Sequence, residues 1–526
     1  MRNKVAIIDA LSGQTRTFRD YYSDMGSIAS HLLELGIDQD STIALFSPNH
    51  VDYVPICLAA AVCGAQLSPI NPTYKVDEVQ AVLRSSGADT LFFHCNNAKV
   101  AMEAIKGGTA VKHVIFIPTQ DGDCGPLHVS ISQGTHIHVY SLSDMKHHSN
   151  PTFETHPSIR NNTSTKSYLL PYSSGTTGMP KCVRLSHHNI VSNLLQLEAI
   201  EAIAFPPNQT LISPLPFFHI YGWLVSALYS AWQGQELITM QRFDMDKFCQ
   251  AVEKYRPKRA HLVPPIIIQL AKKADVEKYD LSSLDMIICG AAPLSKETEQ
   301  DLFDRIGCKT KQAWGMSEIS PVGTFTSDYN IRRGSVGQLV SDTVGKIVDP
   351  ISGRSLGPGK SGELMIRGPQ VMMGYLNDEE KTRECLTTDG WIRTGDLATY
   401  DDDGFFYITG RIKEIINVRG YQVPPAELES VLLTHPKVSD AAVIPVPDDI
   451  SGELPRAYVS LKEGLGFLTE DEDDVLQNEI KTFVRDRVAP FKRLEGGVKF
   501  IDQIPKSSSG KILRRQLLDL LHAEGP

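Results

Sequence analysis

Short apolar segments that alternate with helix-like stretches constrain the fold of this chain more than any other feature. Between Tyr22 and Gly87 the helical periodicity is interrupted by runs such as Thr42–Phe46, which is the rhythm of strands joined by crossover helices. The pattern resumes after Leu211, with strand candidates at 261–263 and 286–289. We therefore predict an α/β fold.

The composition changes towards the C-terminus. From 331 to 408 the chain is rich in Gly, Asp and Thr, and short alternating runs such as Gly362–Arg367 follow one another at hairpin-like spacing. This pattern predicts a β-rich subdomain that closes a large N-terminal α/β body. Strands and helices alternate again beyond the charged segment 410–414. Because 526 residues exceed what one core usually organises, we place a domain boundary in that segment and expect a small C-terminal domain of α+β type.

Composition argues against several classes of protein. A protein with a formal net charge of -10 lacks the positive surface potential that non-specific nucleic-acid binders use. The longest apolar stretch, 54–65, is too short to span a bilayer and predicts a buried helix. The start of the chain has no secretory signal and its last three residues are not the simple peroxisomal tripeptide. We expect a cytoplasmic protein without a nucleic-acid partner or transmembrane segment, whose nine cysteines are buried or incidental thiols.

A polar stretch between 119 and 166 contains histidines that invite a metal hypothesis. No cysteine or pair of carboxylates stands beside them in the sequence, so a solvated surface loop is a better interpretation than a zinc site. The histidines concerned are His136, His138, His147 and His148.

The strongest single signal for chemistry is the segment 172–181, Tyr-Ser-Ser-Gly-Thr-Thr-Gly-Met-Pro-Lys, which follows a strand candidate. Its glycines allow a tight turn, so backbone amides and hydroxyls can face phosphate oxygens, and its lysine adds a positive charge. The candidate phosphate-binding residues are Ser173, Ser174, Gly175, Thr176, Thr177, Gly178 and Lys181. Taken alone, a flexible loop explains the same residues.

Four further motifs follow in order, and together they favour a binding site over a flexible loop. They are Gln-Ala-Trp-Gly-Met-Ser-Glu at 312–318, Thr-Gly-Asp at 394–396, Gly-Arg-Ile-Lys at 410–413 and Pro-Lys-Ser-Ser-Ser-Gly-Lys at 505–511. Together with the loop they resemble the adenylate-forming superfamily of acyl-CoA synthetases, luciferases and adenylation domains, over nearly the whole chain. Within it, the segments 218–221, 290–294, 420–428 and 509–513 resemble the 4-coumarate-CoA ligase branch.

The resemblance implies an enzyme that uses ATP, Mg²⁺ and coenzyme A. Because a carboxylate is a poor electrophile, such an enzyme first makes an acyl-adenylate. Glu318 would hold Mg²⁺, Ser317 would bond the α-phosphate, and Lys511 would bridge the carboxylate and the α-phosphate. The remaining nucleotide contacts implied are Gly290, Ala291, Ala292, Gln312, Ala313, Trp314, Asp396 and Arg411, with Asp396 on the ribose hydroxyls and Trp314, where the family often has Tyr, beside the adenine.

The family completes the reaction by rotating its C-terminal domain. The resemblance implies an AMP-binding domain at 1–411, a hinge at 412–414 around Lys413, and a mobile lid domain at 415–526. The implied coenzyme A contacts are Arg242, Arg419 and Gly420, and Gln422 would be catalytic. Asn417 stands where the plant ligases and firefly-type luciferases of the family carry a lysine, and this difference argues against a luciferase. Because residues 4–9 already match the first family strand, the resemblance also suggests a truncated N-terminus.

The acyl pocket implied by the resemblance is small or apolar except for a histidine and a tyrosine, which suits a hydroxycinnamate-like or a medium- to long-chain acid. Its residues are His219, Tyr221, Val225, Gly290, Ala291, Gly315, Met316, Pro321 and Val322, and His219 would also gate the pocket and take part in catalysis. Two alternatives stay open. The enzyme could pass the acyl group to an amine or a carrier thiol, or the chain could bind acyl groups or nucleotides without catalysis.

Overall fold

The computed structural model describes residues 3–119, 137–148, 150–157, 163–173, 181–272, 274–462, 469–507 and 510–523. Within them the chain forms four sheets. The first sheet has nine strands, of which the central six are parallel. In sheet order its strands are Gln338–Leu339, Val322–Phe325, Lys309–Gly315, Met286–Cys289, Arg259–Leu262, Thr210–Ile212, Glu236–Thr239, Val5–Asp9 and Thr15–Thr17.

The second sheet also has nine strands and carries the candidate phosphate loop at one end. In sheet order its strands are Gly374–Tyr375, Lys181–Ser186, Ser167–Leu169, Gln66–Ile70, Thr42–Phe46, Thr90–His94, His113–Ile117 and His138–Ser141, and strand Tyr172–Ser173 pairs with Lys181–Ser186. The strands from 42 to 141 run parallel to one another, which requires crossover connections. The prediction of an α/β body is therefore confirmed.

Helices cover these sheets. The helix Tyr53–Cys63 buries nine of its eleven residues, which confirms the buried helix expected for the longest apolar stretch. The α-helices of the body are Phe18–Glu34, Tyr53–Cys63, Val76–Ser86, Ala98–Ile105, Leu142–Met145, His187–Glu201, Tyr229–Gln233, Met245–Tyr255, Pro264–Lys272, Lys296–Ile306 and Glu379–Cys385; a π-helix spans Tyr221–Leu228, and 3-10 helices span Cys95–Asn97, Ala274–Lys278, Ser317–Ile319 and Ile412–Glu414. None of the helices in the described ranges is long and apolar enough to cross a membrane.

The β-rich subdomain expected after residue 331 is a five-stranded antiparallel sheet. In sheet order its strands are Ser355–Leu356, Val344–Val348, Gly362–Arg367, Ile392–Tyr400 and Phe406–Arg411. The loop between the third and fourth of these strands also supplies strand Gly374–Tyr375 to the second sheet. The subdomain is therefore tied to the edge of the body that carries the candidate loop.

The C-terminal part forms a smaller α+β unit. Its sheet contains Tyr421–Val423, Ile416–Val418, Gly452–Leu461, Val438–Asp448 and the parallel strand Val498–Phe500, and its helices are Pro425–Leu433, Glu470–Arg485, Pro490–Lys492 and Arg514–Ala523. Side chains of residues 416–500 form a hydrophobic core of their own. We propose the boundary at 412–414, because the last strand of the third sheet ends at Arg411 and this second core begins at Ile416.

Two expectations about surface chemistry need correction. Cys95 is disulfide-bonded, so it is not an incidental thiol, whereas most of the other described cysteines are free and buried as expected. His148 is not a solvated loop residue. Its Nε2 lies 2.9 Å from Glu34 Oε1 and its Nδ1 accepts the Asn150 backbone N–H at 3.1 Å. Its ligand atom lies within 4.8 Å of those of Glu34 and His31. Because Nδ1 accepts, the ring proton is on Nε2, which leaves that nitrogen a donor to the carboxylate and not a metal ligand.

Candidate active site

The candidate phosphate loop connects two strands of an antiparallel hairpin. Strand Tyr172–Ser173 pairs with strand Lys181–Ser186, and Ser173 stands opposite Lys181. Both residues are half-buried. The hairpin therefore fixes the two ends of the expected loop. The other predicted phosphate ligands lie outside the described residues; they are Ser174, Gly175, Thr176, Thr177 and Gly178.

Glu318 is 5% exposed, in the 3-10 helix Ser317–Ile319. The Tyr375 hydroxyl donates to its Oε1 at 2.9 Å, and the Lys181 ammonium lies 4.7 Å from the centre of the Tyr375 ring. The sequence did not single out Tyr375, because it stands in no motif. A carboxylate that receives one hydrogen bond keeps acceptor capacity for a hard cation, so the donor set at Glu318 fits Mg²⁺. The neighbouring Ser317 is also buried.

Asp396 is 4% exposed on strand Ile392–Tyr400. Trp314 Nε1 donates to its Oδ2 at 2.8 Å, and Arg411 Nε lies 3.0 Å from its Oδ1. Burial raises the pKa of Asp396, while positive Arg411 and the Trp314 hydrogen bond oppose that rise. Trp314 therefore orients the carboxylate in addition to offering a ring face. Each carboxylate oxygen keeps a further acceptor site, so ribose hydroxyls can still bond to Asp396.

The side chain of Gln312 supports a neighbouring loop. Its expected contact with the nucleotide stays a prediction; the side chain itself is 3% exposed and bonds within the protein. Its Oε1 accepts from the Leu294 backbone N–H at 2.9 Å, and its Nε2 donates to the Leu294 carbonyl at 2.8 Å and to Glu299 Oε1 at 2.6 Å. Gln312 thus anchors the loop 290–294 from behind. Its neighbour Ala313 is half-buried.

Two glycines allow close approaches in the expected acyl pocket. A Cβ on Gly290 would lie 2.9 Å from the Tyr221 ring, whose hydroxyl donates to the Ile288 carbonyl at 3.0 Å. A Cβ on Gly315 would lie 2.0 Å from the Pro321 carbonyl oxygen. Any side chain at either position would displace its neighbours. Of the other expected pocket residues, Val225, Pro321 and Val322 are buried and Ala291, Met316 and His219 are half-buried.

The C-terminal domain reaches this site through Lys511. A Cβ on the preceding Gly510 would lie 3.2 Å from Pro265 of the body, so the turn is docked there. Burial and positive Arg411 lower the pKa of Lys511, while the carboxylates of Asp396 and Glu318 raise it. Burial and the positive charge of Lys511 in turn lower the pKa of His219 to about 3, so that imidazole is neutral. The turn that carries Lys511 therefore packs against the body, and the charges of Asp396 and Glu318 act on Lys511 there.

The remaining expected residues lie apart from this cluster. Arg419 and Gly420 form an exposed turn with positive φ angles of 50° and 81°, between the strands Ile416–Val418 and Tyr421–Val423. Gln422 stands opposite Asn417 on that hairpin and is exposed; within the described ranges no contact joins it to the Lys511 cluster. Lys413 and Arg242 are exposed as well. In this structure all five residues are exposed and lie apart from the Lys511 cluster.

Two family models match the chain. The model described as AMP-binding enzyme matches residues 1–376, and the model of the AMP-binding enzyme C-terminal domain matches residues 427–511. The chain belongs to the AMP-binding enzyme family. A probable 4-coumarate–CoA ligase 1 of Dictyostelium discoideum is 34% identical, over 98% of this chain and 92% of its own length. The 4-coumarate–CoA ligase 1 of Petroselinum crispum is 37% identical, over 98% and 91%.

Solved structures agree with this family assignment. ATP-bound MatB from Rhodopseudomonas palustris superposes on this AMP-binding enzyme with a TM-score of 0.84 and 25% identity, over 99% of this chain and 96% of that chain. With relatives that are named as CoA ligases over nearly its full length, the chain is an adenylate-forming enzyme of the acid–thiol ligase class, a family that implies ATP and coenzyme A as substrates.

Proposed function

We propose that this enzyme activates a hydrophobic carboxylic acid of hydroxycinnamate or medium- to long-chain fatty type as its adenylate and then transfers the acyl group to coenzyme A. The observation that carries the proposal is the docking of the Gly510–Lys511 turn of the C-terminal domain against Pro265 of the body, where the carboxylates of Asp396 and Glu318 act to raise the pKa of Lys511. A cation at that point faces the place where the substrate carboxylate and the α-phosphate would converge.

In the first half-reaction a carboxylate oxygen of the acid attacks the α-phosphorus of ATP, and the bond to pyrophosphate breaks. Lys511 stabilises the negative charge that builds on the α-phosphate, and Asp396, oriented by Trp314, holds the ribose. Glu318 would hold Mg²⁺, which would supply positive charge to the phosphates. His219 is neutral, so it can border an apolar acyl group without a charge to desolvate.

In the second half-reaction the coenzyme A sulfur attacks the acyl carbon and the bond to AMP breaks. Lys511 has no part in that step, and Arg419, Gly420 and Gln422 face solvent in this structure. We propose that the C-terminal domain turns about 412–414 and brings their hairpin over the adenylate. The 3-10 helix Ile412–Glu414, in which no residue is buried, joins the two cores, which suits a hinge.

The test is pyrophosphate release with ATP and Mg²⁺ across a panel of carboxylic acids, with and without coenzyme A. We expect acid-dependent release, faster in the presence of coenzyme A, together with a thioester product. Lys511→Ala should lower adenylation by about 100-fold or more. Lys506→Ala is the matched control, because this lysine of the same domain is ion-paired with Asp440 at 2.6 Å and should leave adenylation unchanged.

Other outcomes would favour the alternatives. Adenylation that is indifferent to coenzyme A, with an acyl group recovered on an amine or a carrier thiol, would replace the thioester assignment. Binding of acids or ATP without any pyrophosphate release by the folded full-length chain would favour a non-catalytic binder.

A further inference from the structure

One helix of the body contacts the C-terminal domain at both of its ends. It is the helix Pro264–Lys272, whose nine residues span about 13 Å. At its N-terminal end, a Cβ on Gly510 would lie 3.2 Å from Pro265, so the turn of the C-terminal domain packs there. At its other end, Lys272 Nζ donates to the Leu433 carbonyl oxygen at 3.1 Å. The helix therefore connects two separate contacts between the domains.

The second contact is made with the end of a helix. Leu433 is the last residue of the helix Pro425–Leu433 of the C-terminal domain. The last four carbonyl groups of an α-helix have no partner within the helix, and the helix dipole places partial negative charge on them. A lysine is therefore a favourable donor at that position. Lys272 caps a helix of the other domain, although the two domains have separate hydrophobic cores.

The Lys272 side chain is half-buried and lies among charges from both domains. Burial lowers the pKa of Lys272, and positive Lys462 of the C-terminal domain lowers it further, whereas Asp301 of the body and Asp440 of the C-terminal domain raise it. Because the charges of Lys462 and Asp440 oppose each other, they hold the domain weakly at this point. The hydrogen bond to Leu433 is directional, and it gives this end of the interface a defined geometry.

Two contacts about 13 Å apart fix an orientation that one contact does not. A single contact at Gly510 leaves the C-terminal domain free to rotate about that point. A misplacement of about 1 Å at a reacting centre can lower a rate about 100-fold. The cap at Leu433 restricts the rotation, because Leu428 and Leu432 of the same helix belong to the core of the C-terminal domain.

We propose that Lys272 is a positioning residue for adenylation, whose bond to Leu433 holds the C-terminal domain in the orientation that keeps Lys511 at the nucleotide site. The bond must break when the domain turns to bring Arg419 and Gly420 over the adenylate. Lys272 therefore has no part in thioester formation. This inference rests on the proposed two-step ligase function, and it assigns a role within that function to a residue that stands in none of the motifs.

The two half-reactions of the full-length enzyme are measured separately. Acid-dependent exchange of pyrophosphate into ATP reports adenylation, and conversion of the synthetic acyl-adenylate to the thioester in a single turnover reports the second step. Lys272→Met keeps the apolar stem and removes the donor. We expect it to lower the adenylation rate about fivefold, as for loss of one half-buried hydrogen bond, while the thioester step is unchanged or faster.

Two further variants separate positioning from a general loss of structure. Lys272→Arg keeps a donor at this end of the helix and should retain most of the adenylation rate. Lys278→Met is the matched control, because Lys278 is exposed and pairs with Asp275 of its own 3-10 helix. It should leave both half-reactions at the native rate. Thermal melting establishes that the variants are folded.

The orientation of the C-terminal domain can also be followed without turnover. Spin labels at Ile351→Cys of the body and Ile450→Cys of the C-terminal domain, which are 90% and 86% exposed, report the distance between the domains by pulsed electron paramagnetic resonance. The half-buried Cys385 is replaced by serine, so that it takes up no label. We expect one main distance in the parent protein and a second population that grows about fivefold in Lys272→Met.

Three results would overturn the inference. Equal losses in both half-reactions would mean that Lys272 only stabilises the fold. Native rates together with an unchanged distance distribution in Lys272→Met would mean that other contacts hold the domain. In both cases the ligase function stands. Absence of pyrophosphate release with every acid of the panel would count against the ligase function itself, and the role of Lys272 in adenylation would fall with it.

Discussion

Trp314 donates its indole N–H to the Oδ2 atom of Asp396 at 2.8 Å, deep in the candidate nucleotide site. The pair joins strand Lys309–Gly315 of the first sheet to strand Ile392–Tyr400 of the third sheet. A ring of tyrosine, which the family often has here, carries no N–H group at that place. In this enzyme the residue expected beside the adenine therefore also orients the carboxylate that would hold the ribose.

Replacing Trp314 by Phe tests that relationship. The phenyl ring keeps an apolar face but cannot donate to Asp396, so we expect the KM for ATP to rise about tenfold or more, as for loss of one hydrogen bond to a charged group. Steady-state kinetics with varied ATP measures it. The control is Trp232→Phe, because Trp232 donates to Glu198 at 3.1 Å on the surface. Equal KM values for both variants would mean that Trp314 does not position Asp396.

A second prediction concerns the buried ion-pair cluster of Lys311, Arg259, Glu201 and Asp328. Lys311 is fully buried and pairs with both carboxylates. Lys311→Met would leave two partly or fully buried carboxylates with one cation, so we expect the free energy of unfolding to fall by about 3–5 kcal/mol. Chemical denaturation measures this loss.

The matched control for that cluster is an exposed pair. Lys258 Nζ lies 3.2 Å from Asp285 Oδ2, and both side chains are well exposed. Lys258→Met should therefore lower the free energy of unfolding by less than about 1 kcal/mol. A similar cost for the two substitutions would show that burial does not govern the energetics of the Lys311 cluster.

The backbone of the acyl pocket yields a third prediction. In Gly315→Ala the new Cβ would meet backbone atoms of Pro321, with its carbonyl oxygen at 2.0 Å. The strand must move, so we expect a loss of about 1–3 kcal/mol in unfolding free energy and a weaker affinity for the acid. Gly357→Ala is the control, because nothing lies within 4 Å of a Cβ there. Unchanged melting of Gly315→Ala would contradict the observed packing.

The fold class could be predicted from the sequence because apolar periodicity depends only on residues that are close together in the chain. Runs such as Thr42–Phe46 and Gly362–Arg367 became strands with the expected bounds. The candidate site was predicted only where residues stand in an ordered motif, as Asp396 and Lys511 do. Tyr375 and Glu299 could not be found in that way, because each contributes through a long-range contact, to Glu318 and Gln312 respectively, and sequence spacing carries no record of such contacts.

Gln312 shows that recognising a motif does not define the role of each side chain in it. Its motif was recognised, but a motif does not tell whether a side chain faces a ligand or supports the loop behind it. The bonds of Gln312 to Leu294 and Glu299 show that its side chain supports the loop, and they depend on how strand Lys309–Gly315 packs against helix Lys296–Ile306.

Glu299 gives the enzyme a pH-dependent stability. Burial raises the pKa of this carboxyl from 4.5 to about 7, against the opposing hydrogen bond from Gln312. Above pH 4.5 the unfolded chain loses this proton while the folded chain keeps it until about pH 7. The free energy of unfolding therefore falls as the pH rises from about 4.5 to 7, and it stays at the lower value above pH 7. A rise of the pKa from 4.5 to about 7 corresponds to about 3 kcal/mol.

Glu299→Gln isolates this contribution, because the amide mimics the protonated acid and can still accept from Gln312. We expect the variant to gain stability relative to the native enzyme as the pH rises from 5 to 8, measured by denaturation at a series of pH values. Glu297→Gln, at an exposed position of the same helix, is the control and should follow the native curve. If Glu299→Gln also runs parallel to the native curve, Glu299 is ionised in the fold across this pH range, and its bond to Gln312 is then a charge-assisted one.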